Sequence, residues 1–357
     1  MARTYRNLYP EVGSFENLLL ASRKAHRGKR YRPCTLAFNF QLEDELLRLR
    51  EELLDGSYRP GPYRDFLVQD SKPRMISAAP YRDRVVHHAV MNVIEPIFDS
   101  SFIQDTYACR KGKGMHAALL RFRRHLARHR YVLKCDIRKY FQSIDHEILR
   151  SLLARRIGDR KLMELLSRII DSRSEPTEAP KGCLEREEGL DPVERKRGIP
   201  IGNLTSQFFA NLYLDRFDHW LTEDLRAGPY LRYADDFCIF GDDKNWLAQV
   251  RGAIMEYLGG LRLTLHDGKS RIYTLREGVE FLGFRHLPGR VRIRKENTKR
   301  FRQRMRRLER DVALGRTTHE RVRASVVSWC AHAAYADSLG LRAKLIPSYV
   351  FAGGGRA

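Results

Sequence analysis

Tyr233-Ala234-Asp235-Asp236 sets two adjacent carboxylates inside Tyr230-Leu-Arg-Tyr-Ala-Asp-Asp-Phe-Cys-Ile-Phe240, a segment that is otherwise apolar and aromatic. Flanks of that kind bury as strands, so Asp235 and Asp236 are expected at the tight turn between them. Neighbouring carboxylates at a buried edge repel each other unless a cation neutralises them. Mg2+ suits the task, because it takes hard oxygen ligands and brings phosphates with it. A solvent-facing Asp-Asp turn is the competing reading. A third acid decides between them: Tyr131-Val-Leu-Lys-Cys-Asp136 reads as a short apolar strand that delivers Asp136 at its end. A strand-end Asp plus a hairpin Asp-Asp is the carboxylate set of a two-metal phosphoryl-transfer site, whose ions sit ~3.5–4 Å apart and clamp the attacking and leaving oxygens. In such a site Asp136 bridges both ions, with the Ile137 carbonyl as an extra ligand. Asp235 is the second firm ligand, and Asp236 binds or tunes the site.

The elements that must hold these acids follow from periodicity and breakers. Phe40 to Leu54 has helical spacing and is stopped by Gly56 to Pro62. Residues 63–79 read as extended strands carrying Lys72 and Arg74. Helices follow over 81–98 and 115–130. After Asp136 a helix starts, with Ser143 and Asp145 as capping candidates and Ile148, Leu149, Leu152 and Leu153 as its apolar face. Helices over 146–172 lead into a polar, charged stretch near 172–197, expected to be an exposed loop. Gln207 to Leu225 returns to helix. Asn297 or Thr298 can cap a last basic helix, whose apolar residues Phe301, Met305, Leu308 and Val312 recur at steps of 4, 3 and 4, with Gly315 at its end.

The composition points to a polyanionic partner. Lys and Arg number 66 against 44 Asp and Glu, a net charge of +22, which favours phosphate contacts and counterion release. The excess is unevenly placed: Arg285 to Arg323 holds 15 Lys/Arg and 4 Asp/Glu, so half of the net charge lies in 39 residues. No apolar run is long enough to span a bilayer, and the start lacks the apolar stretch of a signal peptide. The six cysteines (34, 109, 135, 183, 238 and 330) show no CxxC spacing, so neither a zinc module nor a disulfide framework is expected. A cytoplasmic protein with reduced thiols and no membrane partner is the reading.

Six segments taken in order resemble a reverse transcriptase over nearly the whole chain. Lys72-Pro-Arg-Met-Ile-Ser-Ala-Ala-Pro-Tyr-Arg82 is similar to the fingers motifs that hold an incoming triphosphate. Asp136 to Asp145, Gly198-Ile-Pro-Ile-Gly202-Asn-Leu-Thr-Ser-Gln207 and Tyr233 to Asp236 resemble the three palm motifs. Leu265-His-Asp-Gly-Lys269 resembles the lysine-bearing motif, and Glu280-Phe-Leu-Gly283-Phe284 the primer grip. Where retroviral and group II intron enzymes usually carry Gln-Gly and Ser-Pro, this chain has Ile201-Gly202 and Ser206-Gln207. That departure is typical of the reverse transcriptases of diversity-generating retroelements. The stretches Asp83 to Val90, Tyr107 to His116 and Ser328 to His332 look like the same group.

The resemblance implies an α+β, right-hand polymerase fold. Fingers and a palm with an antiparallel sheet would occupy residues 1–284, and a basic helical thumb with a disordered tail 285–357. It implies RNA-directed DNA synthesis with two Mg2+ ions, Mn2+ being a substitute. The partners implied are template RNA, primer or cDNA, dNTPs and a small accessory variability protein in a bacterial or phage setting. Errors are expected mainly opposite template adenine. The site roles it implies are Lys269 beside the leaving pyrophosphate and Lys72 and Arg74 on the triphosphate. Phe141 would stand against a ribose 2′-hydroxyl, and Ile201, Gly202 and Gln207 around the nucleotide. Phe281, Leu282 and Gly283 form the primer grip, and Arg300, Arg304 and Arg307 meet the nucleic-acid backbone. The alternatives are a group II intron-like or antiphage-defence reverse transcriptase, or a non-catalytic RNA-binding protein that keeps a polymerase shell.

Overall fold

Three antiparallel sheets carry the chain in sequence order. β1 (Arg64–Gln69) and β2 (Pro73–Ala78) form a hairpin. β3 (Tyr131–Asp136), β4 (Tyr230–Tyr233), β5 (Asp236–Gly241) and β6 (Arg271–Thr274) form a central sheet in the order β4-β5-β3-β6. β7 (Val279–Phe281), β8 (Phe284–Leu287) and β9 (Arg290–Ile293) form the third. The structure, a computed structural model, describes residues 3–69, 73–173, 195–349 and 351. Lys72, Cys183, most of the polar stretch expected near 172–197 and the Gly353–Gly355 tail lie outside the described residues.

The central sheet is covered on both faces, which is why β3 and β5 read as almost unbroken apolar runs. Side chains alternate across it. Leu133, Cys135, Phe237 and Ile239 enter the main core with residues of the helices Tyr81–Asp99, Leu204–Tyr213, Asp215–His219 and Lys244–Gly260. Val132, Leu231, Cys238 and Phe240 enter a second core with Phe122, Phe281 and Phe284. This mixed helix and antiparallel-sheet architecture is the right-hand polymerase fold.

Local chemistry explains several element ends, and some bounds differ from expectation. Asp145, not Ser143, caps the helix His146–Ala154, because its carboxylate accepts from the Glu147 and Ile148 N–H groups at 3.0 and 3.2 Å. The Ser143 hydroxyl instead donates to the Lys139 carbonyl at 3.0 Å. The last basic helix runs Lys295–Ala313, starting before both candidate caps. Asn297 is otherwise engaged, its Oδ1 accepting the indole N–H of buried Trp329 at 2.9 Å, a donor that needs a partner when buried. Gln207 to Leu225, expected as one helix, is split into Leu204–Tyr213, Asp215–His219 and a π-helical turn Trp220–Asp224, with Trp220 stacked on Tyr257 at 4.3 Å. The basic helix expected over 115–130 ends at Leu126.

A third core joins Phe301, Met305, Leu308 and Val312 to Val322, Trp329, Ala333 and Leu345, as the 4-3-4 spacing requires. The 284/285 boundary expected from sequence falls within β8, inside the third sheet. Ile293 at the end of β9 packs against both the second and the third core. Among the described residues no helix is long and apolar enough to cross a membrane.

Asp145 both caps a helix and pairs with Arg262. Asp145→Ala should therefore lower stability by at least about 1–2 kcal/mol, while Asp145→Asn, an equivalent cap, should cost clearly less. Thermal melts of the two variants check this, and equal losses would assign the effect to the ion pair instead.

Candidate active site

The three acids meet at one end of the central sheet. In the β3–β5 register Asp136 stands directly across from Asp236, and Tyr233 pairs with Asp236 to close the β4–β5 hairpin. The turn is thus Ala234-Asp235, with Asp236 already the first residue of β5, a refinement of the expectation that both acids lie in it. Ala234 has φ +57°, a left-handed conformation that costs an L-residue roughly 1–2 kcal/mol. The Ile137 N–H donates to the Asp235 carbonyl at 3.2 Å and the His266 N–H to the Asp136 carbonyl at 2.7 Å. The Asp136 N–H donates to Ser270 Oγ at 3.2 Å. The backbones of all three motifs are therefore pinned to one another, and the Ile137 side chain is buried beneath them.

Two ammonium groups stand against this anionic edge. Lys269 Nζ lies 2.6 Å from Asp136 Oδ1, and Lys134 Nζ lies 3.2 Å from Asp236 Oδ2. The other oxygen of Asp236 is buried without a hydrogen-bond partner. Burial pushes the Asp236 carboxyl up to about 7, against the pull of Lys134. Burial and then the neighbouring Asp136 charge also raise Asp235, while Lys269 and Arg74 draw it back. Burial works against the Lys134 ammonium, but Asp236 beside it more than offsets this and its pKa is raised. Among the described residues no three Asp, Glu, His or Cys side chains converge as a complete metal cage. A carboxylate edge with an orphaned buried oxygen still suits Mg2+, which keeps waters and completes its shell with substrate phosphates.

The β1–β2 hairpin stands beside this edge. Arg74 on exposed β2 lies close enough to Asp235 to lower its pKa. The Ile201 carbonyl accepts from the Ser77 N–H at 3.1 Å. Gly202 has φ +111°, and a Cβ there would sit 2.8 Å from Ile76 Cγ2. Its close approach in the folded chain is thus to Ile76 on β2. Gln207 is exposed. Phe141 is half-buried at the margin of the main core, its ring edge-on to Tyr140 at 5.8 Å. Lys72 has no described position.

The grip segment is a two-residue hairpin turn. Leu282 and Gly283 have φ +45° and +86°, the two positive values that a type I′ turn requires. Phe281 stacks on Phe122 at 4.6 Å in the second core. A Cβ on Gly283 would sit 3.6 Å from the His332 ring. Beyond it a cleft of about 270 Å³ is lined by Asn297, Arg300, Arg304, Trp329 and His332. Arg304 and Arg307 are exposed and Arg300 is half-buried. A separate cavity of about 570 Å³, with Arg155, Asp215, Arg216, His219 and Trp220 in its wall, touches none of the three acids.

Sequence reasoning missed Lys134, Ser270, Asp218 and Arg232. A lysine two residues before a strand-end Asp, hence on the same strand face, was a usable signal for the first. The others have partners far away in sequence and no local signature.

Residues 67–286 match the family model described as reverse transcriptase (RNA-dependent DNA polymerase). The chain is 29% identical over 295 residues to Protein YkfC of Escherichia coli (strain K12), covering 71% of this chain and 74% of that one. It is 25% identical over 184 residues to the group II intron-encoded protein LtrA of Lactococcus lactis subsp. cremoris, covering 51% of this chain and 29% of LtrA. Against nuclear intron maturase 2, mitochondrial, of Arabidopsis thaliana it is 25% identical over 265 residues, covering 61% and 36%. The chain thus spans about a third of the length of these intron-related proteins. Among solved structures, telomerase from Candida albicans, in complex with a fragment of telomeric RNA, aligns with a TM-score of 0.46 at 12% identity, covering 66% of this chain and 46% of that one.

The raised carboxyl of Asp236 fixes the sign of a pH effect. Without a cation, the folded chain holds a proton there that the unfolded chain releases above about pH 4. The group's contribution to stability is therefore complete below that pH and declines as pH rises towards 7. A cation held by the adjoining Asp136 and Asp235 is bound more tightly once Asp236 is ionised. Mg2+ should consequently raise the melting temperature more at pH 8 than at pH 5.5. Equal Mg2+ stabilisation at both values would remove these carboxylates as its ligands.

Proposed function

The chain belongs to the reverse transcriptase family of RNA-dependent DNA polymerases, and from that premise we propose that it makes DNA on an RNA template by nucleotidyl transfer at Asp136 and Asp235. The observation that carries this reading is the register of Asp136 against Asp236 with Asp235 in the adjoining turn. Two Mg2+ ions, or Mn2+ in their place, would when bound supply the Lewis acidity that polarises the phosphate and lowers the pKa of the primer hydroxyl. Asp136, Asp235 and the Ile137 carbonyl would hold them. Asp236, already engaged by Lys134, sets the charge of the site. Lys269, which bonds Asp136, would turn to the leaving pyrophosphate and neutralise or protonate it.

The rest of the chain binds and orients. Arg74, with Lys72, neutralises the triphosphate. Phe141 takes the side of the sugar where a ribose would carry its 2′-hydroxyl. Ile201, Gly202 and Gln207 border the nucleotide, and Phe281, Leu282 and Gly283 grip the primer. Arg300, Arg304 and Arg307 meet the template–primer backbone, whose counterion release the basic thumb exploits. In this reading fingers and palm run to the third sheet and the thumb follows Ile293.

At a finer level we propose the enzyme of a diversity-generating retroelement, acting with a small accessory variability protein in the cytoplasm of a bacterium. The support is Ile201-Gly202 and Ser206-Gln207 in place of the Gln-Gly and Ser-Pro usual in intron enzymes. The second reading, a group II intron-like reverse transcriptase, is favoured by the relatives named for introns.

Asp235→Asn should keep the fold and RNA binding but reduce Mg2+-dependent dNTP incorporation by more than the ~10–100-fold typical of a metal's outer-shell partners, because a neutral amide does not offset the metal charge. Incorporation on an RNA template measures it, and a rate near wild type would remove Asp235 from the site.

Ile201→Gln tests the finer proposal. A branched apolar side chain contacts a nucleotide by shape alone, and losing about 1.4 kcal/mol of polar positioning already costs tenfold in discrimination. The substitution should lower misincorporation opposite template adenine more than opposite other bases. Sequencing cDNA made by both forms from one RNA decides it. Equal adenine errors with activity intact would end the role of Ile201 in fidelity.

A further inference from the structure

Arg232 is 1% exposed and Asp218 is fully buried. The Arg232 guanidinium donates from Nε to both Asp218 oxygens, at 2.8 and 3.1 Å, and from Nη2 to Asp218 Oδ2 at 2.5 Å. Nη2 also reaches the Asn211 carbonyl at 3.4 Å, and Nη1 the Asn211 Oδ1 at 3.4 Å. The remaining bond of Nη1 goes to the Ala234 carbonyl at 3.2 Å, inside the turn that presents Asp235. The Tyr230 hydroxyl donates to Asp218 Oδ1 at 2.6 Å and completes the shell of that carboxylate. The backbone of Arg232 is held as well: its N–H donates to the Asp105 carbonyl at 2.9 Å, and its carbonyl accepts from the Tyr107 N–H at 3.0 Å. One side chain therefore joins the ends of the helices Leu204–Tyr213 and Asp215–His219 to the acid-bearing turn.

Stability alone does not account for such a pair. Desolvating two charges is expensive, and well-packed apolar residues of similar volume often serve as well or better. What no apolar side chain can do is donate to the Ala234 carbonyl. That residue has φ +57°, a conformation L-residues keep only where surroundings over-determine it. Relaxation of Ala234 would turn the next residue, Asp235, away from Asp136.

We infer that Arg232 is a positioning residue: clamped by Asp218, its fork holds the Ala234 carbonyl and so aims the Asp235 carboxylate at the metal side of the sheet. A planar fork is required, because acceptors on three residues, in fixed directions, must be met at once. A lysine ammonium is a flexible point charge and does not reproduce that geometry. The inference rests on the polymerase reading of the site and deepens it.

The test uses the full chain with an RNA template, a primer and one dNTP, titrating Mg2+, with thermal melts and template–primer binding measured in parallel. Arg232→Lys should bind template–primer as wild type does, with an unchanged KM for dNTP. Its kcat should fall by about tenfold and the Mg2+ concentration for half-maximal rate should rise by a similar factor, as for other supports of a metal ligand. A merely structural role would instead lower the melting temperature and the active fraction, leaving the Mg2+ half-saturation of the surviving enzyme unchanged, and that result overturns the inference. Tyr230→Phe removes one donor to Asp218 and leaves the fork intact. It should give a smaller rise in Mg2+ half-saturation with only a modest fall in melting temperature, and it decides the matter if Arg232→Lys does not fold. Asp235→Asn in the same assay separates the two levels. An inactive wild type, or an active Asp235→Asn, overturns the polymerase reading and this inference with it. An active wild type, a dead Asp235→Asn and wild-type Mg2+ dependence in the Arg232 and Tyr230 variants overturn the positioning role alone.

Discussion

Like-charge repulsion at one end of the central sheet is the constraint around which this molecule is arranged. Asp136, Asp235 and Asp236 are brought together by strand register, and each is at least partly withdrawn from water. Burial first, and the neighbouring acids after it, raise the carboxyls of Asp235 and Asp236. The chain answers with Lys269 on Asp136 and Lys134 on Asp236. The Lys269–Asp136 contact is the more exposed of the two, and a doubly charged ion can outcompete it. The site is thus held near neutrality without being permanently closed.

Around that edge the architecture supplies stiffness. The β3–β5 pair is packed on both faces, so neither strand can slide without moving apolar side chains out of a core. His266 and Ser270 bind the Asp136 backbone from the segment that carries Lys269, and the Asp235 carbonyl is bound from Ile137. The β1–β2 hairpin is tied to the Gly198–Gln207 segment through Ser77 and Ile201, and Gly202 leaves room for Ile76. A shift of β2 is therefore felt at Ile201, which gives its proposed role in fidelity a structural route. On the other side, the turn at Leu282-Gly283 lies against His332.

The carboxylate set, the strand–turn–strand around Asp235, the capped helix after Asp136 and the 4-3-4 stripe of the last basic helix were all legible in the chain, because each is a local pattern with one physical solution. An apolar strand interrupted by acids has to expose them at its end, and a stripe at steps of 4, 3 and 4 has to find a partner face. The order of the motifs carried the family in the same way, as did the concentration of basic charge beyond Arg285. Asp145 and Ser143 were equally good caps on paper; in the fold Ser143 ends the short helix Tyr140–Ser143 and Asp145 stands at the N-cap of the next.

Tertiary structure alone decided which partners the buried polar groups found. Arg232 and Asp218 are 14 residues apart, Lys269 and Asp136 133 apart, and Ser270 and Asp136 134 apart, and nothing in the local sequence of either member names the other. The same holds for Gly202, whose need for a missing Cβ comes from Ile76 on another element, and for Asn297, drawn from capping by Trp329. Hydrophobic periodicity is a property of a segment and survives in the sequence. Hydrogen-bond satisfaction and charge neutralisation are properties of places where distant segments meet, and they exist only once the chain has folded.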